Sequence, residues 1–315
     1  MLSVYVLQAG AAPLSGGEEL LDAPGTKWID VAEPTEALLL PLAKRFNLHP
    51  LAVEDCLHLD QRPKLEEYPD HQFIVLHGFT LTGKDVAKPA LHEVHNFLGA
   101  DWLITVHQKA HPAIDAVKAR VVADPTASLG RGADFVAYMV ADELVDANFE
   151  ILERFSEALD KLEQAMVEHP TPAHLRRAFV LRRTLVRLRS VLSPQRDVVA
   201  ILSRSGIKYI SDKTSLYFRD IYDHLVRIYE QIDSARDLLG NILDLYLSVV
   251  ANRTNDVTRQ LTIFATIFLP MSFVVGFFGQ NFQLVSNDTY FFPALGLLLA
   301  IPLTMVIWFR RKGWL

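Results

Sequence analysis

Two stretches near the C-terminus constrain this chain more than anything else in it. Residues 261–279, LTIFATIFLPMSFVVGFFG, form a run of nineteen without a charge, and residues 290–309, YFFPALGLLLAIPLTMVIWF, form a second uncharged run. At about 1.5 Å of rise per helical residue, each covers the roughly 30 Å hydrocarbon thickness of a bilayer. Two buried core helices of a soluble domain are the alternative. Runs this long and apolar, joined by a short polar turn, predict a transmembrane hairpin instead. Arg253 and Arg259 precede the first run, and Arg310, Arg311 and Lys312 follow the second. Residues 280–289 hold no Lys or Arg and one acid, Asp288. Basic residues concentrate on the cytoplasmic side of spans, so both termini are expected in the cytoplasm, with the short loop outside the cell's inner membrane.

Composition removes several classes. Across 315 residues, 31 Lys and Arg against 37 Asp and Glu give a net charge of −6, without the basic surplus of a dedicated nucleic-acid binder. Cys56 is the single cysteine, so neither a disulfide framework nor a Cys-x-x-Cys zinc ribbon is available. The first residues, MLSVYVLQ, lack the basic start and long apolar run of a secretory signal. No phosphate-binding Gly-x-x-x-x-Gly-Lys-Ser/Thr loop and no Gly-x-Ser-x-Gly elbow occurs, so no enzyme is expected.

Ahead of the apolar runs the chain has two textures. Over residues 1–130 the segments SVYVLQ, KWIDV, FIVLHGFTL, EVHNFLG and DWLITVH read as strands, with helices opening at Glu33-Pro34-Thr35-Glu36 and after His49-Pro50. This predicts an α/β cytosolic domain. Residues 131–259 read as a helical hairpin followed by a long stalk helix. Nine acids in residues 142–168 precede six arginines in residues 174–190, across the turn His169-Pro170-Thr171-Pro172. A lipid-headgroup or nucleic-acid patch is one reading of the arginines. An antiparallel pair whose acidic and basic members face each other is the favoured one.

The stalk helix begins near Ser215. Ile221, Leu225, Ile228, Ile232, Ala235, Leu239, Ile242, Tyr246 and Val249 alternate steps of four and three, an apolar seam over four heptads. No breaker separates it from the first apolar run, so residues 215–269 predict one helix about 80 Å long. One subunit cannot bury such a helix on itself, which points to oligomers around an axis. Asp223, Glu230, Asp237 and Asp244 recur every seven residues along it, as a solvated face or a device that concentrates cations.

Through the apolar run a second stripe continues: Asp244, Ser248, Ala251, Asn255, Thr258, Thr262, Ala265, Leu269, Ser272 and Gly276, again in steps of three and four. Small and polar residues on one face of a spanning helix signify either tight packing or a water-filled path. The helix ends in Gly279, Gln280 and Asn281, where amide and backbone oxygens suit the hydration shell of a hard cation such as Mg²⁺. A plain helix C-cap is the other reading of Gly-x-Asn. The stripe holds no His, Cys or Met, which favours Mg²⁺, with Co²⁺ or Ni²⁺, over a softer cation. His92 and His95 invite a zinc assignment, but three apart on a strand they point to opposite faces.

The runs HPLAVEDCLHLDQRPKLEEYPDHQFIVLHGF, YFRDIYDHL and NRTNDVTRQLTIFATIFLPMSFVVGFFGQNF, with the RRKGWL ending, resemble the CorA family of divalent-cation channels and transporters. The resemblance implies a funnel-shaped homopentamer embedded in membrane lipid. Its spans are residues 260–281 and 290–309, around an external loop of residues 282–289, with a basic cytosolic tail at residues 310–315. It implies a filter ring at Gly279, Gln280 and Asn281, with Asn255, Leu261, Leu269, Ser272 and Gly276 along the pore and Asp244 near its inner mouth. It also implies that Asp220 of the YFRD motif binds regulatory Mg²⁺ between subunits. Two departures stand out. The family's usual filter is Gly-Met-Asn, and a zinc-transporting branch, similar to ZntB, also varies the middle residue. Thr82 stands where the second regulatory carboxylate is expected, with Asp85 nearby. No cofactor is implied, since the divalent cation is substrate and regulator. A proton-coupled zinc transporter and a membrane-anchored sensor without transport are the competing readings.

Overall fold

The computed structural model describes residues 1–279 and 291–314, apart from Ala9, Ala11, Leu59, Thr82 and Lys84. These divide into one compact body of Met1–Met166 and Thr171–Leu243 and a second of Val167–Pro170 and Asp244–Leu315.

The first body is built on seven strands: β1 (Leu2–Leu7), β2 (Leu14–Gly16), β3 (Thr26–Ala32), β4 (Lys64–Glu67), β5 (Gln72–Thr80), β6 (Ala90–Leu98) and β7 (Trp102–His107). Their order is β2-β1-β3-β7-β6-β5-β4. Only the central β3–β7 pair is parallel, and the others are antiparallel. The five strands expected from β-branched and aromatic runs are all present. The two edge strands, β2 and β4, escape a sequence reading. LSG and KLEE are short and polar, as suits the exposed rim of a sheet.

On one face, Val4, Ile29, Val31, Phe73, Val75, Phe97 and Val106 pack under α1 (Glu36–Phe46) and α2 (Pro50–Leu57). The other face meets α3 (Pro112–Ala123) and α4 (Ala133–Glu168). There Gly78 lies so close to them that a Cβ would stand 2.6 Å from Leu144 and 2.7 Å from His111 Nε2. On the same face Trp28 Nε1 donates to Thr105 Oγ1 at 2.9 Å and Thr105 donates to Asn96 Oδ1 at 2.9 Å, satisfying three buried polar groups across three strands.

Helix α5 (Pro172–Leu202) starts at the expected turn, with Thr171 as its N-cap. Two of its six arginines depart from the facing of acidic and basic helices that the charge pattern suggested. Arg177 pairs with Asp85 at 2.7 Å and Arg189 with Asp233, partners outside α4. Adjacent charge blocks in sequence do not dictate which faces of two helices meet; the apolar stripes do.

Helix α6 (Asp212–Phe278) is the expected long helix, 67 residues without a break. Asp134 fixes its start by accepting from the backbone N of Ser211 at 3.0 Å and from its hydroxyl at 2.7 Å. Ser211 Oγ in turn accepts from Thr214 N at 3.2 Å, a serine N-cap. Pro270 sits inside the helix. A proline is tolerated in a spanning segment where neighbouring helices, Ser/Thr side chains or a local change of helical pitch re-satisfy the freed carbonyl. The seam from Ile221 to Ile242 is buried within a single chain, and Tyr246 and Val249 are half-buried. The sequence argument that one subunit cannot cover this helix therefore applies only farther along, where residues 251–262 are exposed on every side. Helix α7 (Phe291–Arg311) completes the second body.

Candidate functional site

Every residue of the polar stripe is exposed in the isolated chain: Asp244, Ser248, Ala251, Asn255, Thr258, Thr262, Ala265, Leu269, Ser272 and Gly276, as is Leu261. What distinguishes the stripe is its relation to α7. Ile263 is buried, and Thr266, Ile267, Pro270, Met271, Val274 and Phe278 are half-buried. Helix α7 provides the cover, since Thr266 lines one cavity with Thr304, Met305, Trp308 and Phe309. At about 100° per residue, the centre of this covered face lies about 160° around the helix from the stripe. The hairpin thus packs against the apolar side of α6 and leaves the polar side open.

Three hydroxyls on the stripe are already committed inward. Ser248 donates to Asp244 O at 3.0 Å, Thr258 to Thr254 O at 2.9 Å and Thr262 to Thr258 O at 2.8 Å. With the proton spent on the backbone carbonyl four residues back, each oxygen presents only lone pairs outward. A row of acceptors without fixed charge is what a hydrated cation can pass. At the end of α6, Gly279 N donates to Val275 O at 2.8 Å, and a Cβ on Gly279 would lie 2.9 Å from that same oxygen. Only glycine closes the helix this tightly. Gln280 and Asn281 lie outside the described residues.

A second locus surrounds Asp220 in the first body. Asp220 and His224, one turn apart on α6, face Asp142 and Asp146, one turn apart on α4. His224 Nδ1 lies 2.8 Å from Asp146 Oδ1, and its Nε2 lies 3.7 Å from Asp220 Oδ2. Ligand atoms of Asp142, Asp146 and His224 fall within 4.8 Å of one another. Burial pushes the Asp142 carboxyl up to about 6, and the Asp146 charge adds to this, while Tyr138 Oη, 3.2 Å away, and His224 oppose it. Three carboxylates against one imidazole leave the cluster short of positive charge, a deficit that a divalent cation would fill.

Asp220 was legible from the YFRD motif. Asp142 and Asp146 were visible only as members of an acidic run, and their i, i+4 spacing could have marked them. Asp85 instead accepts from Arg177 and from the backbone N of Ala87 at 3.1 Å. Arg177, beside it, holds its carboxyl below the usual range. Thr82 lies outside the described residues. His92 and His95 do point to opposite faces. His92 Nε2 lies 2.7 Å from Thr80 Oγ1 and its ring meets His111, whereas His95 meets Phe73 and Glu93.

The family described as CorA-like Mg²⁺ transporter protein matches residues 24–311. The chain belongs to this family. Its members are metal-ion transporters rather than enzymes. The chain is 35% identical over 273 residues to the cobalt/magnesium transport protein CorA of Thermotoga maritima, covering 86% of this chain and 78% of that one. It is 26% identical over 257 residues to the zinc transport protein ZntB of Yersinia pestis, covering 81% and 77%. The complete structure of the CorA magnesium transporter from Methanocaldococcus jannaschii superposes with a TM-score of 0.88 over 100% of this chain and 99% of that one, at 22% identity. The full-length CmaX protein gives a TM-score of 0.78 over 99% and 97%, also at 22% identity. The CorA fold is therefore shared over its whole length: α/β sheet domain, long helix and two C-terminal apolar helices.

Proposed function

We propose that this CorA-family chain forms a homopentameric Mg²⁺ channel in the cytoplasmic membrane, passing Co²⁺ and Ni²⁺ as well, with both termini in the cytoplasm. The observation that carries the reading is the placement of α7 opposite the polar stripe of α6. Copies arranged with α7 outward bring their stripes together around one axis. A hydrated cation is captured at the ring of Gln280 and Asn281 amides and passes the Ser272 and Thr262 levels. It then crosses an apolar constriction at Leu269 or Leu261 and leaves past Asn255 and Asp244. Passive inward flow gains about 2.3 kcal/mol per charge per 100 mV. In this reading Asp220, with Asp142, Asp146 and His224, binds the transported cation on the cytosolic side and holds the closed state.

Flux into liposomes containing the purified protein tests this directly. Mg²⁺ uptake should follow an imposed potential without a pH gradient, and Asn281→Ala should lower it at least about tenfold, the scale of one lost 1.4 kcal/mol interaction. Zn²⁺ uptake that needs a proton gradient, without Mg²⁺ flux, would replace this reading with that of a ZntB-like transporter. The relative named for zinc transport makes that the outcome to look for. Absence of flux above that of protein-free liposomes, in the parent and in Asn281→Ala alike, would leave a membrane-anchored sensor.

A further inference from the structure

On the α1/α2 face of the sheet, beside Phe73, three ligand-type side chains share one patch. His77 on β5 is directly opposite Glu93 on β6, and Val75 is opposite His95, so His77, Glu93 and His95 share one face. His77 and His95 are each 3% exposed, and the Glu93 side chain is 7% exposed. Neither ring nitrogen of His77 makes a hydrogen bond of good geometry, the Gln61 backbone being its polar neighbour, and His95 Nε2 lies 3.5 Å from Glu93 Oε2, too far for a strong one. Buried imidazole nitrogens without partners are uncommon, because each forfeits its hydration for nothing. Glu93 is the reverse case, a buried carboxylate held in place by two backbone donors: Asp60 N at 2.7 Å and Gln61 N at 3.2 Å. Among the described residues the only basic side chain within 4 Å of it is the His95 imidazole.

We propose that His77, Glu93 and His95 form a site for a borderline divalent metal ion such as Zn²⁺ or Co²⁺, separate from the polar stripe and from the Asp220 cluster. Two ligands at i and i+2 on one strand and a third directly across put three Cβ atoms on one face, with the cross-strand pair about 4.5–5.5 Å apart. A zinc-type ion would need bonds of about 2.0–2.2 Å to two imidazole nitrogens and one carboxylate oxygen, so the His77 ring must turn toward the Glu93–His95 pair, whose ligand atoms already lie 3.5 Å apart. Two neutral nitrogens and one oxygen suit Zn²⁺ or Co²⁺ and disfavour Mg²⁺, which wants six oxygens. The two amides that grip Glu93 supply the outer-shell orientation such sites need. The ion would supply the positive charge that Glu93 lacks and a strong bond for the His77 ring.

Metal-stripped full-length protein in detergent, titrated with Co²⁺, tests the site. To exclude the Asp142, Asp146 and His224 cluster, the titration is run in the His224→Ala background. We expect one Co²⁺ per chain with the intense visible absorption of four- or five-coordination, displaced by Zn²⁺ and not by millimolar Mg²⁺. His77→Ala and His95→Ala should each weaken it at least about tenfold. Because a core substitution can disturb folding, X-ray absorption of the one-zinc His224→Ala protein gives a second reading, with two imidazoles expected in the first shell. Absence of the absorption band, its survival in the His77→Ala/His95→Ala double variant, or a zinc shell without imidazole would each overturn the site. Mg²⁺ flux into liposomes is read separately, so a failure here is distinct from a failure of the channel reading.

Discussion

Helix α6 lives in two surroundings. Between Ile221 and Ile242 its apolar residues are covered by the chain's own first body, with Leu225 and Ile228 at 0% exposure. In the second body the same residue types stand open, Leu269 at 69% and Phe268 at 59%. Helical propensity and period barely change along the way. What changes is the cover of the apolar face: residues of the same chain bury it in one case and leave it open in the other, where the proposed assembly would supply lipid and further copies. Fully burying an aliphatic or aromatic side chain is worth roughly 1.5–3 kcal/mol. The first stretch draws that gain from folding of the chain itself, and the second does not.

Paired truncations along α6 provide the largest effect. Ile228→Ala should destabilise the cytosolic body by about 2–5 kcal/mol, the usual range for emptying a packed aliphatic site. Phe268→Ala should leave its melting within about 0.5 kcal/mol of the parent. Thermal unfolding of the full chain in detergent, followed by circular dichroism, separates them, and equal losses would break the contrast.

A smaller effect tests the two sides of the spanning segment. Thr262→Val removes outward lone pairs from the stripe, whereas Thr266→Val makes the same isosteric change on the side covered by α7. Mg²⁺ flux should fall several-fold in the first variant and stay within about twofold in the second, since one neutral hydrogen-bond site is worth about 1 kcal/mol. Equal flux in both would remove the stripe from the pathway.

The smallest effect lies in the Asp220 cluster and depends on pH. Asp142 titrates near 6 in the folded chain, above its unfolded value of about 3.9. Below about pH 4 both states hold the proton and the group is neutral for stability. As pH rises through 6 the folded state must accept a charge it disfavours, so stability is lost. Asp142→Asn should therefore stabilise the chelator-treated protein above pH 6 by about 1 kcal/mol, reduced from the full shift by solvent screening. The gain should vanish near pH 4. A gain independent of pH would show that shape, not charge, governs the site.

Much of this was legible before the fold was known. The two uncharged runs, the seam of α6 and the stripe of small and polar residues are linear patterns, and each reappears where its spacing put it. The YFRD motif singled out Asp220, which the structure places one turn from His224 on α6. The edge strands β2 and β4 were not legible, because short polar segments at a sheet rim carry no periodic signal. Nor was the grouping of His77 with Glu93 and His95. The sequence shows HEVH and a lone histidine 16 residues before Glu93, and only the β5–β6 register makes them neighbours.

Sequence by itself determined the element types and the polarity of each helical face, because these follow from local stereochemistry and from the transfer of side chains out of water. Tertiary structure alone decided which faces meet. It turned α7 away from the polar stripe, sent Arg177 and Arg189 to acids other than those beside them in the chain, and brought Asp142 and Asp146 to Asp220 and His224. Such contacts join residues tens of positions apart. They are selected by the packing of apolar stripes as a whole, a competition that no local window of sequence contains.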